Sequence, residues 1–396
     1  MCVALLMIPA MAQTTADDVL AVARRANNYF MQKYEDPTVP TNVKKIRPSN
    51  LWTRAVYYEG LMALQAIDPQ PRYVDYARTW ADFHKWTPRN GIETCDADDQ
   101  CCGQTYVELA RLLNHDEKAV QTQLQNVIAN LDHQMLTPNE KNQTTTPKAK
   151  TSQNSLYGWW TWIDAIQMAM PLYMQAYQLT GDKRYRDHGM QMYRWSRNEC
   201  GRGEANPKKG LFNIDEGLWW RDADYVPPYQ EPDGQQCYWS RGNGWVYAAL
   251  VRCMDILGKK DKCYKELKKD FVLMSEGIRK CQREDGFWNP SLVSTHYEMK
   301  ETSGTALFLY GISWGIRQGL LKADIFRPVA DRAWTAMVKD AVHADGFLGW
   351  MQGTGKDPSA GQPLSYNRIP DFEDYGTGCF LLGATEYYKL LSAQKR

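Results

Sequence analysis

A closed α/α barrel of six helical hairpins, an all-α fold, is what this 396-residue sequence predicts, and three observations predict it. Six segments share one design: a polar, Gly- or aromatic-rich lead-in runs into an apolar stretch with helical spacing. They begin at Leu51, Asp98, Trp159, Tyr238, Glu301 and Asp371. Roughly 45 to 80 residues separate successive members, enough for a loop and a second, more amphipathic helix. No Gly/Ser- or Pro-rich linker breaks the series, so residues 13–396 read as one domain.

The elements follow in order. Residues 1–12 read as a secretory leader without a basic n-region, because Ala10-Met11-Ala12 has the small-x-small form of a cleavage site before Gln13. That expectation places the mature chain in the periplasm or outside the cell. Amphipathic partner helices are predicted over 18–34, 71–85, 183–197 and 261–282. They carry charge on one face, as outer helices do, whereas the inner six are apolar all round. Residues 140–153, rich in Thr, Lys and Asn, read as a surface loop leading into the third inner helix. Gly103, Gly244, Gly304 and Gly376 fall near inner-helix starts, where a missing side chain leaves room for a cleft. Asp285-Gly286 and Asp345-Gly346 are turn signals, each followed by a Phe.

Composition excludes several classes. A net charge of +1 gives no footprint for nucleic acid or an anionic membrane. Beyond the leader, no run of about 18 uncharged apolar residues predicts membrane insertion. Six His show no Ser/His/Asp or Cys/His order, so nucleophilic ester or peptide hydrolysis has no support. Ten Cys form no zinc knuckle, and no metal or cofactor is expected. Cys95, Cys101 and Cys102 either pair in an oxidising compartment or are buried thiols. Oligomeric state is not readable.

The aromatic content, 15 Trp and 23 Tyr, directs attention to sugars. Residues 238–245 read Tyr-Trp-Ser-Arg-Gly-Asn-Gly-Trp, which suits an open, polar-edged surface for an acidic sugar. There Trp239 and Trp245 stack on a ring, Arg241 forks a carboxylate or orients an acid, and Asn243 donates to a hydroxyl. Asp164 sits in a strongly apolar helix with Trp160 and Met168 four residues to either side. Desolvation there raises its pKa towards that of a general acid. At the second inner helix, one of Asp98 and Asp99 caps the helix and the other is free to orient a catalytic partner or water. Arg221 either meets a substrate carboxylate or pairs with Asp222 or Asp224.

Taken together, these motifs resemble the unsaturated glucuronyl and rhamnogalacturonyl hydrolases of glycoside hydrolase families 88 and 105, from about Leu51 to Tyr388. The likeness rests on Trp-x-Arg-Gly-Asn-Gly-Trp at 239–245, Trp-x-Asp at 162–164, Glu301-Thr-Ser-Gly-Thr-Ala306 and the segment 375–382. It implies the six-hairpin fold, Asp164 as acid/base, and Asp98 as the second carboxylate, since Gly103 lies five residues after it. Trp162, Ser303 and Asp99 join the expected substrate contacts.

The implied substrate is a 4,5-unsaturated uronic acid that a lyase leaves at an oligosaccharide end, with pectic or plant-glycan products preferred. Asp164 protonates C4, water adds at C5, and the hemiketal opens without metal, nucleotide or covalent glycosyl-enzyme. Many relatives carry His where this chain has Arg221, which bears on the sugar or linkage accepted. Two other readings compete: an inverting glycosidase using Asp98 and Asp164 on a saturated linkage, and a carbohydrate-binding protein without catalysis. An interaction solenoid would lack the dense Gly and Trp at inner-helix starts.

Overall fold

The computed structural model describes residues 14–42, 46–114, 116–139, 156–201, 209–371 and 373–393. The leader expected at 1–12 and the loop expected at 140–153 lie outside these. In chain order the helices are α1 (Ala16–Lys33), α2 (Trp52–Ile67), α3 (Pro71–Phe83), α4 (Ala97–Gln100), α5 (Cys102–Leu113), α6 (Glu117–Gln123) and α7 (Gln125–Leu136). Then come α8 (Asp164–Thr180), α9 (Lys183–Asn198), α10 (Ser240–Leu257), α11 (Lys262–Lys280), α12 (Thr302–Arg317), α13 (Ala323–Asp340) and α14 (Asp374–Ala393).

Helices α2, α5, α8, α10, α12 and α14 form the inner ring. Each packs on the next and α14 returns onto α2, closing the barrel. The remaining long helices pack outside, antiparallel to their inner neighbours by the short connections between them. The residues explain the two layers. In α10 every residue from Ser240 to Met254 is buried. In α9 burial follows one face through Tyr185, His188, Met192 and Trp195, and charge fills the other. Side-chain caps at Asp182, Asp261 and Glu301 satisfy the first N–H groups of α9, α11 and α12.

The tryptophans divide sharply by depth. Eleven of the 15 are buried, so the aromatic excess is mostly core. Trp52, Trp159, Trp162 and Trp350 stay partly exposed, and all four sit at or beside an inner-helix start.

Two expectations are corrected by packing. The inner-helix glycines do not leave a cleft, because neighbouring helices occupy the space. A Cβ on Gly103 would lie 2.7 Å from Leu172 of α8, and one on Gly244 would lie 2.8 Å from Leu307 of α12. The third inner helix begins at Asp164, so Trp160 precedes it in a turn and does not share its face. The Asp-Gly pairs are turns, with Gly286 at φ +94° and Gly346 at φ +101°. Cys95, Cys101 and Cys102 are free thiols, and Cys101 and Cys102 are both buried.

A polar chain runs through the barrel interior. Gln167 donates to Glu59 at 2.8 Å, and Arg252 donates to Gln104 at 3.0 Å and to Glu108 at 2.8 Å. Burial, opposed by the Arg252 charge, pushes the Glu59 carboxyl up to about 7.

Candidate active site

Acidic side chains lie in the first turns of α4, α8 and α14, where the helix dipoles favour negative charge, and Glu301 stands at the N-cap of α12. Most of them are already partnered. Asp374 pairs with Arg54 at 3.4 Å, and Glu301 caps α12 through the N–H groups of Ser303 and Gly304. Asp99 accepts from Arg89 at 2.6 Å, Thr94 at 2.7 Å and Asn90 at 3.0 Å. Asp98 and Asp164 are left for chemistry.

Asp164 is the first residue of α8 and is buried. Its position is set by a stitch between two loops, in which Ile163 N–H donates to the Arg221 carbonyl at 2.9 Å and Trp162 bridges Asp222. Arg221 arrives on a hairpin of β1 (Phe212–Asn213) and β2 (Leu218–Trp219), the pair register being Phe212 opposite Trp219. Its guanidinium donates from Nε to Asp164 at 3.2 Å and from Nη1 to Asp222 at 2.6 Å. Of the two alternatives for Arg221, carboxylate pairing within the protein is what the structure shows.

Asp98 is largely buried on the short α4, whose N-cap is Asp96: its Oδ1 accepts from the Asp98 N–H at 2.9 Å. Capping therefore falls to Asp96 and to neither Asp98 nor Asp99. The expected substrate contact at Asp99 is also corrected, since three donors hold its carboxylate inward.

The electrostatics of the two acids differ. Enclosure raises the Asp98 carboxyl well above the usual carboxylate range, and the charges of Asp96 and Asp164 push the same way while Arg221 opposes. Burial also raises Asp164, but the Arg221 and Arg241 charges oppose it. Two coupled carboxyls of this kind titrate as a pair, and the first charge formed resists the second. The arrangement can hold a proton above the usual carboxylate range and release it locally.

The octapeptide is not the open surface expected. Trp239, Arg241, Asn243 and Trp245 are all within 1 % of full burial. Trp239 donates through Nε1 to Gln352 at 2.8 Å. Arg241 lies between the Trp239 and Tyr375 rings and donates to the carbonyls of Gln352 at 3.1 Å and Gly353 at 2.9 Å. The Asn243 amide accepts from Trp219 N–H at 2.8 Å and donates to the Trp219 and Trp239 carbonyls at 3.0 Å each. The motif is a packing knot. Asn243 anchors the hairpin that delivers Arg221, and Arg241 anchors the segment after Met351. Trp245 meets Trp52 edge-on inside the wall. Ser303 is likewise buried, with its hydroxyl on Glu301 at 2.7 Å. The direct substrate roles expected of these five residues are replaced by positioning roles.

Beside Asp164 a cavity of about 770 Å³ opens between the segments 93–96, 137–139, 159–162, 195–200 and 221–224. Trp162 and Arg221 line it. Sequence reasoning missed Trp159 and Trp195 in its wall, Trp52 at the barrel mouth and Gln352 behind the octapeptide. Trp52 and Trp159 carried a signal, each being an aromatic in the lead-in of an inner helix. Gln352 carried none.

Comparison with known proteins agrees with this fold. The chain is 28% identical over 348 residues to an unsaturated 3S-rhamnoglycuronyl hydrolase of Formosa agariphila, covering 86% of this chain and 84% of that one. A protein of the same name from an Alteromonas species is 31% identical over 296 residues, covering 73% of this chain and 66% of the other. Among solved structures, a glycosyl hydrolase family 88 protein from Bacteroides vulgatus superposes with a TM-score of 0.77 at 29% identity. That match covers 95% of this chain and 100% of the other. The family profile itself spans residues 22–391, and the chain accordingly belongs to Glycosyl Hydrolase Family 88.

Proposed function

We propose that this glycosidase removes a terminal 4,5-unsaturated uronic acid from lyase-generated oligosaccharides, with Asp164 as proton donor and Asp98 as its electrostatic partner. The observation that carries the assignment is the desolvated pair Asp98 and Asp164, of which Asp164 accepts from Arg221, a residue that also lines the neighbouring cavity.

The chemistry follows from the residues. Protonating a vinyl ether at carbon needs a neutral acid in a water-poor setting, and burial keeps a proton on this pair. Asp164 gives its proton to C4, and positive charge develops at C5 and the ring oxygen beside the carboxylate so formed. Water adds at C5 and returns a proton to Asp164. The resulting hemiketal opens and releases the sugar that follows. The N-terminal ends of the inner helices favour the uronate carboxylate at this end of the barrel. The leader reading of residues 1–12 puts the enzyme in the periplasm or outside the cell, where lyase products form.

The test is direct. Lyase-generated oligosaccharides lose their ultraviolet absorbance as the double bond is hydrated, and the enzyme should drive that loss while leaving saturated oligosaccharides intact. Asp164→Asn should abolish it. Near-normal turnover by that variant, or hydrolysis of saturated linkages alone, would overturn the assignment.

A further inference from the structure

The cavity beside Asp164 has a charge pattern that the hydration chemistry does not require. Among the described residues its wall carries four carboxylates, Glu93, Asp96, Asp222 and Asp224, against one guanidinium, Arg221. Arg221 is already held by Asp164 and Asp222. Lys356 approaches Asp224 at 3.5 Å, but both side chains are more than half exposed, so water and salt screen that pair. The described part of the wall therefore carries more carboxylates than cations.

The same wall carries indoles. Trp159 and Trp162 are partly exposed and Trp195 lies behind them. Trp159 is fixed by its Nε1 donating to the Thr137 carbonyl at 2.9 Å, which leaves its ring as a rigid face. At about 770 Å³ the space is within the range that ligand clefts occupy. It adjoins Asp164 through Arg221 and Trp162, so it is placed to take the sugar attached to the unsaturated uronate.

We propose that this cavity is a subsite for a neutral, unsulfated sugar, held by indole faces and by hydroxyl-to-carboxylate hydrogen bonds, and that it rejects a sulfated one. Carboxylates accept from sugar hydroxyls and repel sulfate oxygens, which have no proton to donate. The named relatives are called unsaturated 3S-rhamnoglycuronyl hydrolases; this chain is assigned a preference for an unsulfated sugar on its own wall residues. The inference rests on the unsaturated uronyl hydrolase reading.

The experiment compares two disaccharides, unsaturated uronate linked to rhamnose and to rhamnose 3-sulfate, by kcat/KM from absorbance loss. The unsulfated one should be favoured by at least about tenfold, the factor for some 1.4 kcal/mol of like-charge repulsion. That preference should narrow as salt screens the wall. It should also narrow in the double variant Glu93→Gln with Asp224→Asn, whose charge is removed without loss of shape. Equal turnover, or preference for the sulfated sugar, overturns this inference while leaving the hydrolase reading standing. Turnover of neither compound, nor of any other unsaturated uronide, sinks the hydrolase reading itself.

Discussion

The two sides of the barrel mouth make opposite use of charged residues. On the α10 side, Arg241 and Asn243 are buried and bonded to backbone carbonyls and N–H groups, and aromatic rings enclose them. On the α4–α8 side, Asp98 and Asp164 sit in a low-polarity setting with more negative charge than Arg221 balances. A satisfied polar group stabilises a fold, whereas an unbalanced one stores the capacity to bind or transfer a proton. Motif strength in the sequence marked the first side, and the proposed chemistry belongs to the second.

The comparison breaks most visibly in a matched pair of variants. Asp164→Asn should lower kcat by about a thousandfold or more while the melting temperature holds or rises, since a desolvated carboxylate is replaced by a neutral isostere. Arg241→Ala should do the reverse in kind. Denaturant unfolding should show a loss of about 3 to 5 kcal/mol, because two buried carbonyls lose a charged donor and a cavity forms between Trp239 and Tyr375. If Arg241→Ala stayed as stable as the parent and lost only turnover, the division of labour would be wrong.

A smaller effect sharpens the α8 side. Arg221 lowers the pKa of Asp164, so Arg221→Ala should raise it and move the alkaline limb of the kcat/KM profile to higher pH. An unmoved limb would mean that another group sets it.

The smallest effect concerns the barrel interior. Glu59 has its folded pKa raised from 4.5 to about 7, so the folded state binds the extra proton between those values. Its contribution to stability is present at low pH and falls as pH rises through about 7. Glu59→Gln keeps an acceptor for Gln167 and should flatten melting temperature between pH 5 and pH 8, which scanning calorimetry can check; an unchanged slope excludes Glu59 as its source.

Much of the fold was legible because helical periodicity is local. The six inner helices appear where the apolar runs placed them, and the partner helix expected at 183–197 is α9 at Lys183–Asn198. The boundary at Asp164 was missed because the aromatic run from Trp159 has the composition of a buried helix but forms a turn bound to the Arg221 loop. The separation of Asp98 from Asp99 was legible only in part. Adjacent residues on one turn point in different directions, and which one meets Arg89, Asn90 and Thr94 depends on a loop folding back over α4.

By itself the sequence determined that this chain closes six hairpins into one barrel, and its ordered motifs pointed to a hydrolase acting on an unsaturated uronic acid. Those properties live in short-range spacing and residue type. The tertiary structure alone decided that the Trp-rich octapeptide is wall and not surface, that Asp96 caps the helix carrying Asp98, and that Arg221 bridges Asp164 to Asp222. Burial and ion pairing depend on which distant segments meet, and 57 residues separate Arg221 from the carboxylate it tunes.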